Sequence, residues 1–285
     1  MHFLLLAIFF SSCIIVTFRM YSILKIDNLQ AITSNYLVAA ILSYITYSGD
    51  FAITDIPLKP WFPWSFFNGF LFILVFFVFA QSAQKAGVAI TAVASKMSVI
   101  IPVSIGIMIY GDHMNFLKAA GILTAFPAFY LIFKKKDKAI EPDKRYVFLP
   151  LILFLGTGAN DSIMKHAQKF YVGDEYLLFL GTIFAISLFI GLFFMLYKMH
   201  KTRQAISIKS ILAGFLLGVF NYSSTYFFLR GLSVYESSVF FPIFNVSIVS
   251  MGALIVLIIF KEKLWWKNWL GIVLAILTIL FIAFA

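Results

Sequence analysis

The chain has 285 residues, 62% of them hydrophobic and 19% aromatic, and only 12% charged, roughly half the charged share of a soluble domain. Its 35 phenylalanines exceed what a soluble protein of this length can bury, so lipid must be the solvent for most of the surface. The net charge of +10 reads as topogenic and not as a nucleic-acid footprint, because no basic patch with interleaved aromatics lies on a soluble segment; the lone Cys13 excludes an intramolecular disulfide and any CxxC or zinc constellation.

Ten apolar runs follow one another: 2–18, 32–48, 61–80, 86–110, 116–133, 146–164, 177–197, 211–229, 237–260 and 268–284. Each has 17 to 25 residues, close to the length a spanning helix needs. None alternates polar with apolar as a transmembrane β-strand does. The predicted class is an all-α integral membrane protein of ten transmembrane helices, since helices satisfy every backbone group internally. No basic residue opens the first run, which is therefore read as a retained helix and not a signal peptide.

The fourth run, "GVAITAVASKMSVIIPVSIGIMIY" after its first residue, carries Lys96 near its centre and Pro102 six residues on. At 1.5 Å per residue Lys96 is about 15 Å from the start of the run. It shares a helical face with Ala89, Ala92, Val93, Val99, Ile100 and Val103. Either Lys96 lines a cavity, where it meets an anionic group of a cargo or exchanges a proton, or it pairs with a carboxylate and fixes helix packing. Pro102 cannot donate to the Ser98 carbonyl, which leaves that oxygen for another partner.

After the fifth run the basic segment "KKKDKAIEPDKR", 134–145, divides the chain into 1–133 and 146–285. The sixth run brings Asn160 and Asp161. Lys165 stands one turn beyond Asp161, so an i,i+4 ion pair is one reading. Alternatively Asp161 and Asn160 face the cavity, or Asp161 is the counter-ion of Lys96 in one conformation and loses it in another. The eighth run holds Gly214 and Gly218, a GxxxG for close helix approach within the chain, then Asn221 and Tyr222 as candidate cavity residues. Arg230 and Glu236 flank the next turn. The ninth run carries Pro242 and Asn245, the latter on one face with Ser238, Pro242 and Gly252.

With the N-terminus outside, sixteen of the 22 lysines and arginines fall on the cytoplasmic side and five on the outer side, Lys96 being the remaining one. The expected orientation is N-out and C-out.

The two halves resemble each other. "GDHMNFLKAAGILTA" at 111–125 aligns with "KEKLWWKNWLGIVLA" at 261–275, matching Asp112 to Glu262, Gly121 to Gly271, Ile122 to Ile272 and Ala125 to Ala275. A long apolar run interrupted by proline precedes each, with Pro102 in one and Pro242 in the other. In this register Lys96 maps between Pro242 and Val246, so a site between the fourth and ninth runs is expected. Five helices is an odd number, so the second half enters from the opposite side and the repeats are inverted, an architecture of secondary transporters.

On these motifs the sequence resembles the drug/metabolite transporter (DMT) superfamily, as an EamA family transporter with two five-helix EamA repeats, 1–133 and 146–285. The first half departs from the family pattern in having Asp112 where Glu is usual. The resemblance implies ten helices around a central cavity and transport of a small polar or amphipathic metabolite, with export ahead of uptake. Lys96 favours a cargo bearing a carboxylate or phosphate. No HExxH, DDxxD, GxSxG or Walker-type motif is present, so neither enzymatic activity nor ATP hydrolysis is expected. A proton or substrate gradient would drive the cycle. The expectations are completed by no cofactor, no metal, no nucleic acid, the bilayer of a bacterial cytoplasmic (inner) membrane, and a monomer or homodimer. The competing readings are a non-transporting sensor or structural membrane protein and an intramembrane lipid-modifying enzyme; the latter needs acids and histidines clustered at one depth.

Overall fold

A computed structural model describes residues 2–85, 88–133, 146, 148–203, 205–258 and 265–285. The basic segment 134–145 lies outside them. The described residues form eleven α-helices and no strand: α1 (His2–Leu24), α2 (Asn28–Thr46), α3 (Phe62–Lys85), α4 (Val88–Met97), α5 (Ile100–Tyr110), α6 (Phe116–Phe133), α7 (Phe148–Ala167), α8 (Tyr176–Thr202), α9 (Ile208–Val234), α10 (Ser237–Ile258) and α11 (Trp266–Ala283). A 3₁₀ turn, Ile53–Leu58, precedes α3, and a π turn, Gln168–Val172, follows α7.

Among the described residues each expected run falls largely on helix, but the fourth is two helices and not one, so eleven helices stand there where ten were expected. The break is at Ser98 and Val99, one turn before Pro102. Proline's ring clashes with the carbonyl four residues back, here that of Ser98. Here the chain tightens into a 3₁₀-like turn, with Val99 N–H donating to Lys96 O at 3.4 Å and Ile101 N–H to Ser98 O at 2.9 Å. Pro102 itself lies in the first turn of α5, where a missing N–H costs nothing. The Ser98 carbonyl, expected to be open to another partner, is thus taken by Ile101. The second proline, Pro242, is inside an unbroken α10.

Large apolar side chains such as Phe66, Phe70, Leu151, Leu155, Phe189 and Phe193 are exposed along these helices. In water such surface would drive aggregation; against lipid it is the solvated face.

The chain forms two compact units, each drawing on both halves of the sequence: Met1–Ile73 with Ile163–Ser233, and Leu74–Ser162 with Val234–Ala285. In the first unit α2 lies along α8, with Tyr36 stacked on Phe184 at 6.3 Å. The GxxxG of α9 seats on α2. A Cβ at Gly214 would collide with the Ala31 carbonyl and Ser34 Oγ, and one at Gly218 would come within 2.8 Å of the Asn35 carbonyl. The motif therefore serves packing within the chain. Trp61 is fully buried and donates to Glu175 Oε2 at 2.6 Å, while Lys59 pairs with Oε1 at 2.5 Å.

In the second unit α6 lies along α11, and α10 packs on α5, α6 and α11. The crossing of α6 and α11 is reciprocal. A Cβ on Gly121 would meet Ile282 Cγ1 at 2.6 Å and the Thr278 carbonyl at 3.2 Å; one on Gly271 would meet Ile132 N at 2.7 Å and the Ala128 carbonyl at 3.0 Å. Gly111, at φ +71°, ends α5, and Asp112 N–H returns to the Gly106 carbonyl at 3.1 Å, a left-handed cap that glycine adopts without strain. Asp112 Oδ2 then accepts from the Ser238 N–H at the start of α10 (3.0 Å), and Lys118 bridges Glu236 Oε2 at 2.6 Å and the His113 carbonyl at 2.8 Å.

Candidate functional site

The break between α4 and α5 leaves a helix C-terminus and a helix N-terminus inside an apolar run. Lys96 is in the last turn of α4, where the partial negative charge of the unsatisfied carbonyls favours a cation. Its Nζ donates to Asn245 Oδ1 on α10 at 3.1 Å. Because lysine is only a donor, the amide oxygen must face it, which fixes the amide's orientation. The other end, Nδ2, donates to the Phe241 carbonyl at 3.0 Å, one turn back on α10.

The third element is α7. Gly158 lets α5 approach it: a Cβ there would come within 2.8 Å of Ile101 Cβ. Three residues on, Asp161 interacts electrostatically with Lys96 and forms a side-chain hydrogen bond with Asn160. Asn160 Oδ1 and Thr157 Oγ1, one helical turn apart, are buried without a hydrogen-bond partner. Lys96 and Asp161 themselves are half-buried. The result is a polar cluster with one cation, one carboxylate, two amides and unused acceptor capacity, held by three helices in otherwise apolar surroundings. Buried polar groups normally find partners, so the orphaned oxygens are open to a ligand or water.

The structure therefore brings together four of the predicted residues, Lys96, Asn245, Asn160 and Asp161, in the second unit, with Pro242 on α10 beside Asn245 and Pro102 on α5, just after the break that follows Lys96. Asn221 and Tyr222 belong to the first unit. Asn221 Nδ2 donates to Asn35 Oδ1 at 3.0 Å, and the Tyr222 and Thr46 hydroxyls are 2.7 Å apart. Lys165, the candidate i,i+4 partner of Asp161, donates its Nζ to the Leu232 carbonyl at 2.5 Å. Arg230 lies over the rings of Phe3 and Tyr176, at 5.3 and 5.1 Å. Sequence reading missed Thr157 and Gly158; the small residues of "GTGAND" were the available signal. Among the described residues no group of three or more His, Cys, Asp or Glu side chains could hold a metal ion.

Six helical segments among the described residues are long and apolar enough to cross a membrane: Asn28–Thr46, Phe62–Phe79, Thr91–Tyr110, Tyr176–Thr202, Ile208–Val234 and Trp266–Ala283. With a charged cluster inside one such run, the fold is that of an integral, multi-pass membrane protein. Residues 144–284 match the EamA-like transporter family. An uncharacterized protein of Haemophilus influenzae (strain ATCC 51907 / DSM 11121 / KW20 / Rd) is 25% identical over 284 residues, covering 97% of this chain and 95% of the relative. A solved crystal structure of another protein is similar with a TM-score of 0.77 at 12% identity, covering 98% of this chain and 94% of that one; at this identity the likeness is one of fold.

Proposed function

We propose that the protein is a secondary active transporter of the DMT superfamily. It moves a small polar or amphipathic metabolite by alternating access, in the export direction, and Lys96 meets an anionic group of the cargo. The observation that carries this reading is the Lys96–Asn245 hydrogen bond at 3.1 Å beside Asp161, at the end of a broken helix. An ionisable group at mid-span costs about 2.5–3.5 kcal/mol on insertion scales, and interrupted helices whose ends face a polar cluster are a recurring substrate site in transporters. A carboxylate or phosphate replacing Asn245 at Nζ would leave Asp161 with less of the lysine's charge. Protonation of Asp161 would then couple the cycle to a proton gradient.

Two five-helix repeats in inverted topology, N-out and C-out in a bacterial cytoplasmic membrane, complete the proposal. The reciprocal seating of Gly121 on α11 and Gly271 on α6 supports the repeat, because aligned residues contact aligned residues. The test is metabolite profiling inside and outside cells expressing wild type, Lys96→Ala or Lys96→Arg at equal membrane levels. One or a few small anionic solutes should leave the cell only with wild type, weakly with Lys96→Arg and not with Lys96→Ala. Unchanged profiles between wild type and Lys96→Ala would exclude the lysine from the transport site.

A further inference from the structure

We propose that the first unit holds one anionic phospholipid, with an acyl chain in a groove formed by α2, α8 and α9 and its phosphate among the basic residues at the groove's end. The groove has a volume of about 140 Å³ and is lined by Leu37, Leu188, Leu192, Met195, Ile211 and Phe215, together with Thr33 and Ser34. The two hydroxyls do not make it polar. Thr33 Oγ1 donates to the Leu29 carbonyl at 2.9 Å and Ser34 Oγ to the Gln30 carbonyl at 3.0 Å, both turned back on their own helix. Leu37 and Phe215 remain partly exposed, so the groove opens to the lipid and not to a packed core.

Leu188, Leu192 and Met195 form one stripe of α8, and the next position on it is Lys198. Two loops meet beyond it, tied by Asp27 N–H to Ser210 Oγ at 3.0 Å, Gln30 Nε2 to the Ala205 carbonyl at 3.1 Å and Ser207 N–H to Gln30 Oε1 at 2.7 Å. The loops and the ends of α8 and α9 that flank them carry Lys25, Lys198, Lys201, Arg203 and Lys209 against one acid, Asp27. Lys198 neutralises Asp27 at 2.8 Å, which leaves four exposed cations. Lys25 and Arg203 are the two non-glycine residues with positive φ among the described residues, at 53° and 50°; Asn or Gly is the usual residue there, yet both positions are basic. The N-terminus of α9 is at the same end and also favours an anion. An apolar groove ending in a basic rim matches the two-part chemistry of an anionic lipid, since each Lys or Arg near the headgroup layer adds attraction.

Native mass spectrometry of the detergent-purified protein with dioleoyl phosphatidylglycerol or dioleoyl phosphatidylcholine tests this. A single phosphatidylglycerol adduct should form, with phosphatidylcholine bound far more weakly. Each removed charge should weaken binding about fivefold, so K201Q/R203Q/K209Q should lose about a hundredfold. Leu37→Trp, which fills the groove and leaves the rim intact, should also lose the adduct. Equal binding of the two lipids, or unchanged phosphatidylglycerol binding in either variant, would overturn the proposal. Displacement of the lipid by chainless glycerol phosphate would assign the rim to a soluble anion and overturn it too.

Discussion

Removing the Lys96 ammonium tests the cluster directly. Lys96→Met keeps the length of the side chain but leaves Asp161 with Asn160 as its named partner. Breaking a buried ion pair from one side costs about 3–5 kcal/mol. Lys96 bonds directly to Asn245 and reaches Asp161 only by charge, and both are half-buried, so a smaller cost, about 1–2 kcal/mol, applies. At about 2–4 °C per kcal/mol for a chain of this order of size, the melting temperature should fall by about 2–8 °C. Asp161→Asn alone should cost a similar amount by leaving the lysine uncompensated. The double variant should recover most of the loss, because a neutral pair at the same place carries no stranded charge. Tryptophan fluorescence in detergent, from the five tryptophans of the chain, follows unfolding of all four proteins. If the double variant melts lower by the sum of the two single shifts, the two charges do not compensate each other and the cluster has been misread.

Asn245→Leu removes the acceptor of the Lys96 hydrogen bond and should destabilise by about 1.5–3 kcal/mol, read by the same melt. Gly271→Ala should cost more than Gly121→Ala, although the positions correspond, because the new methyl meets the backbone nitrogen of Ile132 in one case and the side chain of Ile282 in the other; overpacking costs about 1–3 kcal/mol. Equal melting points would refute that distinction. Gly214→Ala should lower the yield of folded protein through collision with the Ala31 carbonyl, and gel-filtration recovery measures it. The hydrogen bond from Lys118 holds the Glu236 carboxyl below the ordinary carboxylate range. A depressed carboxylate stabilises the fold above its unfolded pKa, about 4.3 for Glu, and the contribution disappears as pH falls through the lower folded value. Glu236→Gln should therefore melt slightly below wild type at neutral pH and converge with it in acid; a gap that widens in acid would contradict the sign.

The helices were legible because a continuous apolar run of spanning length has few alternatives in lipid. The facing of Lys96 and Asn245 was legible as well, since aligning the halves placed Lys96 opposite the Pro242–Val246 stretch. The location of the break was not. Proline marks an interruption, but the backbone gives way one turn earlier, at Ser98 and Val99, where the clash falls. The fate of Lys165 was also hidden: i,i+4 spacing suggested Asp161, whereas a carbonyl on a helix distant in sequence took its ammonium. Nor could composition reveal that each compact unit draws α-helices from both sides of the basic segment, because that depends on long-range packing and not on any local pattern.

The α6–α11 crossing has a consequence for how such a chain could arise. Each helix offers a glycine and, seven and eleven residues later, the carbonyl and isoleucine that receive the other's glycine: Ala128 and Ile132 on α6, Thr278 and Ile282 on α11. A surface that is both knob and socket is isologous, the kind that closes a two-fold dimer of identical subunits. Two copies of a protein carrying α6 alone could grip each other through this same contact, so a chain that joined two such copies would need no new joint.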